Sequence, residues 1–284
     1  MKLGIIGNGF VGKATQGFQS SKVDLLIYDI DPSKCQPWGT TLRDVAFCDL
    51  TMIAVPTPMD TDGSCSTKIV EKVIQGLRGE NPNVLIMVRS TVPIGFCEEQ
   101  NCLFMPEFLT EANWPEDFRS NPLWIVGVDG FEDQVRNKME YILTVAQSEG
   151  HIVSNELKII STKEAEAIKY FRNCFLATKV GFCNEFYDLC QSLGIDFDSM
   201  ISLASDDKRI GSGHTKVPGP DGKRGFGGTC FPKDLASLVF QFKKRDIPSP
   251  LLTSVKLRNE TIDRPTLDWK NLEGRAVVAQ NKDS

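Results

Sequence analysis

The first 29 residues hold the pattern that most narrows the fold. A short apolar run, Leu3-Gly4-Ile5-Ile6, leads into Gly7-Asn8-Gly9-Phe10-Val11-Gly12, and residues 13–18 are compatible with a helix. G-x-G-x-x-G between a strand and a helix puts glycines where the backbone must turn tightly, approach a pyrophosphate and pack helix on strand. A second strand over 23–29 ends in Asp29, 17 residues after Gly12. A carboxylate there accepts hydrogen bonds from an adenosine ribose and repels a 2′-phosphate, which points to NAD rather than NADP. Taken alone, Asp29 also fits a turn cap.

The alternation continues. A strand over 50–55 ends in Pro56-Thr57-Pro58, a helix over 67–76 carries Ile69, Val70, Val73 and Ile74 as its apolar stripe, and a strand over 84–88 precedes Ser90-Thr91-Val92-Pro93-Ile94-Gly95. Strands over 103–105 and 124–128 follow, the first leading into Pro106-Glu107-Phe108-Leu109-Thr110-Glu111, and a helix over 131–148 closes the series. Alternating strands and helices imply an α/β fold, a doubly wound Rossmann-like parallel sheet, over residues 1–160. Ligands of such sheets bind at the carboxyl ends of the strands, so Thr57, Thr91, Glu107 and Glu111 are candidates by topology; singly, each also fits a turn or cap.

From residue 161 the texture becomes helical. A helix over 163–193 contains no proline and only Gly181 as an internal glycine. About 30 helical residues span roughly 45 Å, the reach of a spine joining two domains or two subunits. Lys169 and Asn173 lie four apart and share a face. After a short helix over 197–204, seven of the 23 glycines fall between Gly211 and Gly228 together with Pro218 and Pro220, which makes this a loop suited to wrapping a ligand. A last helix over 250–263 completes an all-helical part, 161–265, and a tail occupies 266–284.

The loop delivers Gly225-Phe226-Gly227-Gly228-Thr229-Cys230-Phe231-Pro232-Lys233-Asp234 to a helix over 231–240. Pro232 suits a first helical turn. Cys230 then stands at the positive end of the helix dipole, where the thiolate gains over the thiol. Lys233, Asp234 and Ser237, at i+3, i+4 and i+7, share its face. A buried structural cysteine is the alternative.

Composition removes several classes. A formal charge of -5 over 284 residues, with no Lys/Arg block beyond two or three, offers no surface for nucleic acid or an anionic membrane. No apolar run approaches the roughly 18 residues of a membrane span. The apolar part of the N-terminus is too short for a signal peptide, so a cytoplasmic protein is expected. The nine cysteines form no CxxC pair, which argues against zinc and against a disulfide framework; Cys174, Cys183 and Cys190 read as core residues of the long helix.

The decapeptide around Cys230 closely resembles the catalytic-cysteine segment of the UDP-glucose/GDP-mannose dehydrogenase family. Val-Pro-Thr-Pro, Ser-Thr-Val-Pro-Ile-Gly and Pro-Glu-Phe-Leu-x-Glu resemble the family's own strings in the family's order. Ala165-Glu166-Ala167-Ile168-Lys169 with Asn173-Cys174-Phe175-Leu176-Ala177 resembles its central helix.

The resemblance implies four-electron oxidation of a nucleotide sugar with NAD, through a cysteine thiohemiacetal and thioester. Cys230 would be the nucleophile, Lys169 and Asn173 the oxyanion donors, Asp234 with Thr91 the groups that position water or move protons, and Glu107 the base for thioester hydrolysis. NAD would be held by Gly7, Asn8, Gly9, Phe10, Val11, Gly12 and Asp29, by Lys34 on a phosphate or ribose, and by Thr57, Thr91, Glu111 and Lys233. Glu107, Phe108, Leu109, Lys169, Asn173, Phe226 and Gly227 would face the sugar nucleotide, and Arg209 would reach the substrate of a neighbouring subunit in a homodimer built on the long helix. No metal is implied.

Phe231-Pro232-Lys233-Asp234 looks most like the branch acting on UDP-glucose, with GDP-mannose or UDP-N-acetylhexosamine as alternatives and a non-catalytic NAD-binding partner subunit as a rival of another kind. Family members normally continue into a second α/β domain for the nucleotide, and the resemblance covers the first two of three parts. The stretch 214–223 is longer than the family pattern, so no substrate contact is carried onto it, and His214 reads equally as a loop residue.

Overall fold

Seven short apolar runs pair into one sheet. The computed structural model describes residues 1–130 and 132–279. Strands β1 (Lys2–Ile6), β2 (Asp24–Tyr28), β3 (Leu50–Ile53), β4 (Ile86–Val88), β5 (Leu103–Phe104), β6 (Trp124–Gly127) and β7 (Leu157–Ile160) stand in the order β2-β1-β3-β4-β5-β6-β7. Between them run helices α1 (Phe10–Thr15), α2 (Leu42–Ala46), α3 (Lys68–Glu80), α4 (Phe96–Glu99), α5 (Trp114–Arg119) and α6 (Glu132–Ser148). The helix expected over 131–148 is α6; Phe131 lies outside the described residues.

The first five strands are mutually parallel, as expected, but β6 runs antiparallel to β5 through the single pair Phe104↔Gly127, and β7 is parallel to β6. An antiparallel neighbour needs no crossover helix, and only the short α5 separates β5 from β6. Strand β7 was not expected: it is a half-exposed edge strand whose Lys158 interrupts the apolar pattern. The strand order reverses between β1 and β3, which opens a crevice at their carboxyl ends.

Strand side chains alternate between two cores. Leu50, Met52 and Met87 face one side, with Phe18, Phe118, Met139 and Leu143. Ile53, Ile86 and Val88 face the other, with Val70, Ile74, Leu77 and Phe96. Burial on both faces makes these strands continuous apolar runs. Each fully buried Leu, Ile or Met stabilises by about 1.5–3 kcal/mol.

The chain divides into two compact units, one of Met1–Thr57 with Thr67–Lys169, the other of Pro58–Ser66 with the chain from Tyr170 onward. The long helix, α7 (Thr162–Leu193), contributes to both. The second unit adds α8 (Phe197–Ala204), α9 (Phe231–Lys244) and α10 (Pro250–Arg258), the last continuing as a π turn over Asn259–Asp263. The parts read from the sequence began the helical region at 161 and set 266–284 aside as a tail. In the structure residues 266–279 belong to the second unit, with Trp269 1% exposed and Met59 exchanging backbone bonds with Ala276 and Val278 at 2.9 and 3.0 Å. Residues 280–284 lie outside the described residues.

Cys174, Ala177, Cys183 and Cys190 turn one side of α7 into two small cores. Phe171, Phe175, Phe182, Phe186, Leu189 and Leu193 are exposed. No described helix is long and apolar enough to cross a membrane.

Candidate active site

In the first unit β1 passes to α1 through Gly7, at φ +91°. A Cβ on Gly7 would fall 2.5 Å from the Ala54 carbonyl oxygen, and one on Gly12 would fall 1.9 Å from the Gly7 carbonyl oxygen. Both obstacles are backbone, so both positions demand glycine. A Cβ on Gly9 would meet nothing within 4 Å. The turn therefore faces open space, with Phe10 and Val11 opening the helix behind it, the arrangement that receives a pyrophosphate.

Asp29, one residue past β2, is tied to this turn. Its Oδ2 accepts the Asn8 N–H at 2.7 Å and its Oδ1 the Asp31 N–H at 2.9 Å. The Asn8 side chain donates to the Lys34 carbonyl and accepts from Gln16, both at 2.8 Å. The Lys34 ammonium lies at the surface, 3.2 Å from Asp31. Beside Asp29 opens a cleft of about 410 Å³, with Tyr28, Ile30, Pro32, Trp38 and Thr40 in its walls. Trp38 is 87% exposed and was not read from the sequence; its signal was a large aromatic in a Pro/Gly stretch between a strand and a helix. An acid beside an open glycine turn, with an apolar cleft adjoining, fits a dinucleotide with an unphosphorylated ribose.

At the carboxyl ends of β3, β4 and β5, three adjacent strands, the chain presents Thr57, Thr91 and Glu107, all buried. The loop carrying Thr91 is held at its end by Glu166 of α7, whose carboxylate accepts the Gly95 N–H at 2.6 Å and the Cys97 N–H at 2.8 Å. Burial raises the Glu166 pKa, and these two bonds oppose the rise. Glu107 is the centre of the cluster. Its Oε1 accepts the Lys169 ammonium at 2.5 Å, its carbonyl accepts the same ammonium at 2.6 Å, and its Oε2 accepts the Leu109 N–H at 2.9 Å. The ammonium also stands 5.8 Å from the centroid of the Phe108 ring. Glu111 is exposed, on the turn before α5.

In the second unit Cys230 is the N-cap residue of α9, partly exposed, with Pro232 in the first turn. The Thr229 hydroxyl lies 3.8 Å from its sulfur. Asp234, 1% exposed, accepts the Asn173 side-chain amide at 2.6 Å and the Lys233 ammonium at 2.5 Å. Burial works against the Lys233 charge, but Asp234, with the thiols of Cys65 and Cys230, carries its pKa above the ordinary lysine value. Tyr170 and Ser237 share a buried hydrogen bond at 2.9 Å that clamps α9 to α7.

Other expected residues have partners of their own. The Phe226 ring belongs to a core cluster, and its N–H and carbonyl both pair with the Asn259 side chain, at 2.8 and 3.0 Å. Gly227 lies under the Arg264 guanidinium, whose carbon would be 2.6 Å from a Cβ there. Arg209 is solvent-exposed and paired with Asp207 at 2.5 Å. The His214 ring lies 5.6 Å from that of Phe231, and burial lowers its pKa.

Strand order and glycine turn make the first unit a Rossmann-like dinucleotide fold, followed in the chain by an all-helical unit with a thiol at a helix start. Residues 38–147 match the NAD binding domain of the UDP-glucose/GDP-mannose dehydrogenase family and residues 163–261 match its central domain. The chain belongs to that family. The glycine turn and Asp29 precede the matched spans and rest on their geometry.

The chain is 35% identical over 228 residues to a UDP-glucose 6-dehydrogenase of Rickettsia bellii, covering 76% of this chain and 49% of that protein. A UDP-glucose 6-dehydrogenase of Pseudomonas aeruginosa is 32% identical over 250 residues, covering 81% and 52%. The chain thus spans about half the length of these relatives. The solved UDP-glucose dehydrogenase of Pyrobaculum islandicum superposes with a TM-score of 0.77 at 27% identity, over 92% of this chain and 68% of that one.

Proposed function

We propose that the chain carries the cofactor-binding and thiol-bearing parts of an NAD-dependent dehydrogenase that oxidises the primary alcohol of a UDP-hexose, UDP-glucose foremost, to the acid. The observation that carries this reading is Cys230 at the start of α9, with Asn173, Asp234 and Lys233 joined in one hydrogen-bonded set at that helix's first turn. The relatives' activity on UDP-glucose supports the substrate.

The turn Gly7–Gly12 with Asp29 would hold NAD, which would supply a hydride acceptor for each of two oxidations. The Cys230 thiolate, favoured by the helix dipole and the Lys233 ammonium, adds to the carbonyl carbon of the aldehyde and holds it as a thiohemiacetal. Lys169 and Asn173 donate to the oxygen that becomes negative, and Asp234 orients the Asn173 amide. After the second oxidation leaves a thioester, Glu107 takes a proton from the attacking water, the carbon–sulfur bond breaks, and the thiolate is restored. Thr91 and Asp234 position that water.

The exposed aromatic stripe of α7 supports a homodimer. Phe171, Phe175, Phe182, Phe186, Leu189 and Leu193 recur at three-, four- and seven-residue spacing, the seam of a helix packed on a second copy. Nine free thiols and soluble cosubstrates suit a reducing cytoplasm.

NADH release with a panel of UDP-glucose, GDP-mannose and UDP-N-acetylhexosamines tests the reading: two NADH per sugar with UDP-glucose are expected. Cys230→Ser should stop acid formation and leave NAD binding intact. Acid formed by that variant at the unaltered rate would refute the covalent scheme.

A further inference from the structure

Arg89 lies where β4 leaves the sheet, its N–H on the Ile53 carbonyl at 2.8 Å, and is 2% exposed. Its Nη1 donates to the Thr15 hydroxyl at 2.9 Å, which donates in turn to the Val11 carbonyl inside α1 at 2.7 Å. The guanidinium carbon is 5.8 Å from the centroid of Phe118. Among the described residues no carboxylate stands within ion-pair distance of it, and its Nε has no hydrogen-bond partner. A buried N–H left unpaired is costly, and proteins commonly answer it with a buried water.

Space for one is present. A cavity of about 20 Å³ has Arg89, Glu107, Leu109, Asp117, Phe118 and Asn121 among its walls. One water needs about 10–15 Å³ by the same measure and at least two polar partners. Arg89 offers a donor and Glu107 an acceptor.

We infer that this cavity holds one ordered water, accepting from Arg89 Nε and donating to the Glu107 carboxylate, and that Arg89 is thereby a positioning residue for Glu107. Three charged groups then face Glu107 from three elements: Lys169 from α7, Arg89 from the end of β4, and Asp117 from α5 across the cavity. Asp117 is itself engaged by the Thr110 N–H and hydroxyl, at 2.7 and 2.5 Å. Burial lowers the Arg89 pKa to about 10, and Glu107 opposes that shift. Arg89 therefore stays charged at neutral pH and favours the Glu107 anion. Through Thr15 the same guanidinium holds α1, so one buried cation ties the cofactor helix to the Glu107 loop. Only the consequence for turnover rests on the reading of Glu107 as the base.

Two measurements test this without turnover. A crystal structure of the unaltered protein that resolves waters should show one within about 3.2 Å of both Arg89 Nε and a Glu107 carboxylate oxygen. An empty cavity, or a water touching only one of them, overturns the inference. Carbon-13 NMR titration of the glutamate carboxyls, with Glu107 assigned by the signal missing in Glu107→Gln, should place its midpoint about half a pH unit or more higher in Arg89→Met, with Arg89→Lys close to the unaltered protein. An unmoved midpoint in folded Arg89→Met also overturns it, and if that variant does not fold the crystallographic water decides. Failure of the dehydrogenase reading would appear in NADH release, which neither measurement uses.

Discussion

The Lys169 ammonium and the Glu107 carboxylate meet at 2.5 Å with 3% and 5% of their side chains exposed. Burying either charge without the other is costly, because desolvating an ion costs several kcal/mol. Removing one member is therefore more damaging than removing both. Lys169→Met should destabilise the protein by about 3–5 kcal/mol, and the double variant Lys169→Met/Glu107→Leu should recover part of that loss. Urea unfolding of the two variants checks this; equal stabilities would show that the charge left behind finds water.

Gly12→Ala should abolish NAD binding and cost about 1–3 kcal/mol in stability, since the new methyl would overlap a backbone oxygen that cannot rotate away. Calorimetric titration with NAD reads the first effect and thermal melting the second.

Trp38 offers its indole to the cleft beside Asp29. If the adenine ring stacks there, Trp38→Ala should weaken NAD binding about tenfold, the effect of losing roughly 1.4 kcal/mol of stacking. NAD should also quench the fluorescence of the unaltered protein more than that of Trp38→Ala, because Trp38 is exposed whereas Trp114 is half-buried and Trp124 and Trp269 are buried. Unchanged affinity would place the base elsewhere.

Two bonds from Arg264 and one from Lys223 hold the Asp268 carboxyl well below its usual range. A carboxylate depressed in the folded state adds stability above its unfolded pKa, about pH 4, and that stability disappears as pH falls through the folded value. Asp268→Asn should therefore be less stable at neutral pH but lose less on acidification, so the two melting curves converge below about pH 4. Arg264 also covers Gly227, so the loop before Cys230 should loosen in the same variant.

Phe182→Glu puts a charge in the middle of the aromatic stripe of α7, where Phe182 and Phe186 stand 6.1 Å apart. Light scattering should find the monomer mass for the variant and twice that mass for the unaltered chain, with NAD affinity the same in both. A monomeric unaltered chain would remove the dimer.

Legibility in the sequence followed the range of the interaction. Gly7 and Gly12 were readable because a left-handed turn and a backbone contact leave no other residue. β3 and β4 were readable because burial on both faces makes apolar runs, and α9 because Pro232 and the loop glycines mark its start. β7 was not, since an edge strand need not be apolar throughout. Arg89 and Glu166 escaped because a polar letter at a strand end or on a helix does not say whether it is covered. Trp38 escaped because its role depends on a cleft assembled by β2, the turn after it and the start of α2.

Alone, the sequence determined the local backbone: which segments extend, which coil, where glycine is compulsory and where a thiol begins a helix. Dihedral sterics and short-range hydrogen bonds act between near neighbours, so they leave a pattern in the chain. Only the tertiary structure decided the partners of the buried charges. Lys169 reaches Glu107 across 62 positions and Asn173 reaches Asp234 across 61. Desolvation and Coulomb attraction depend on distance through space, and chain order does not record it.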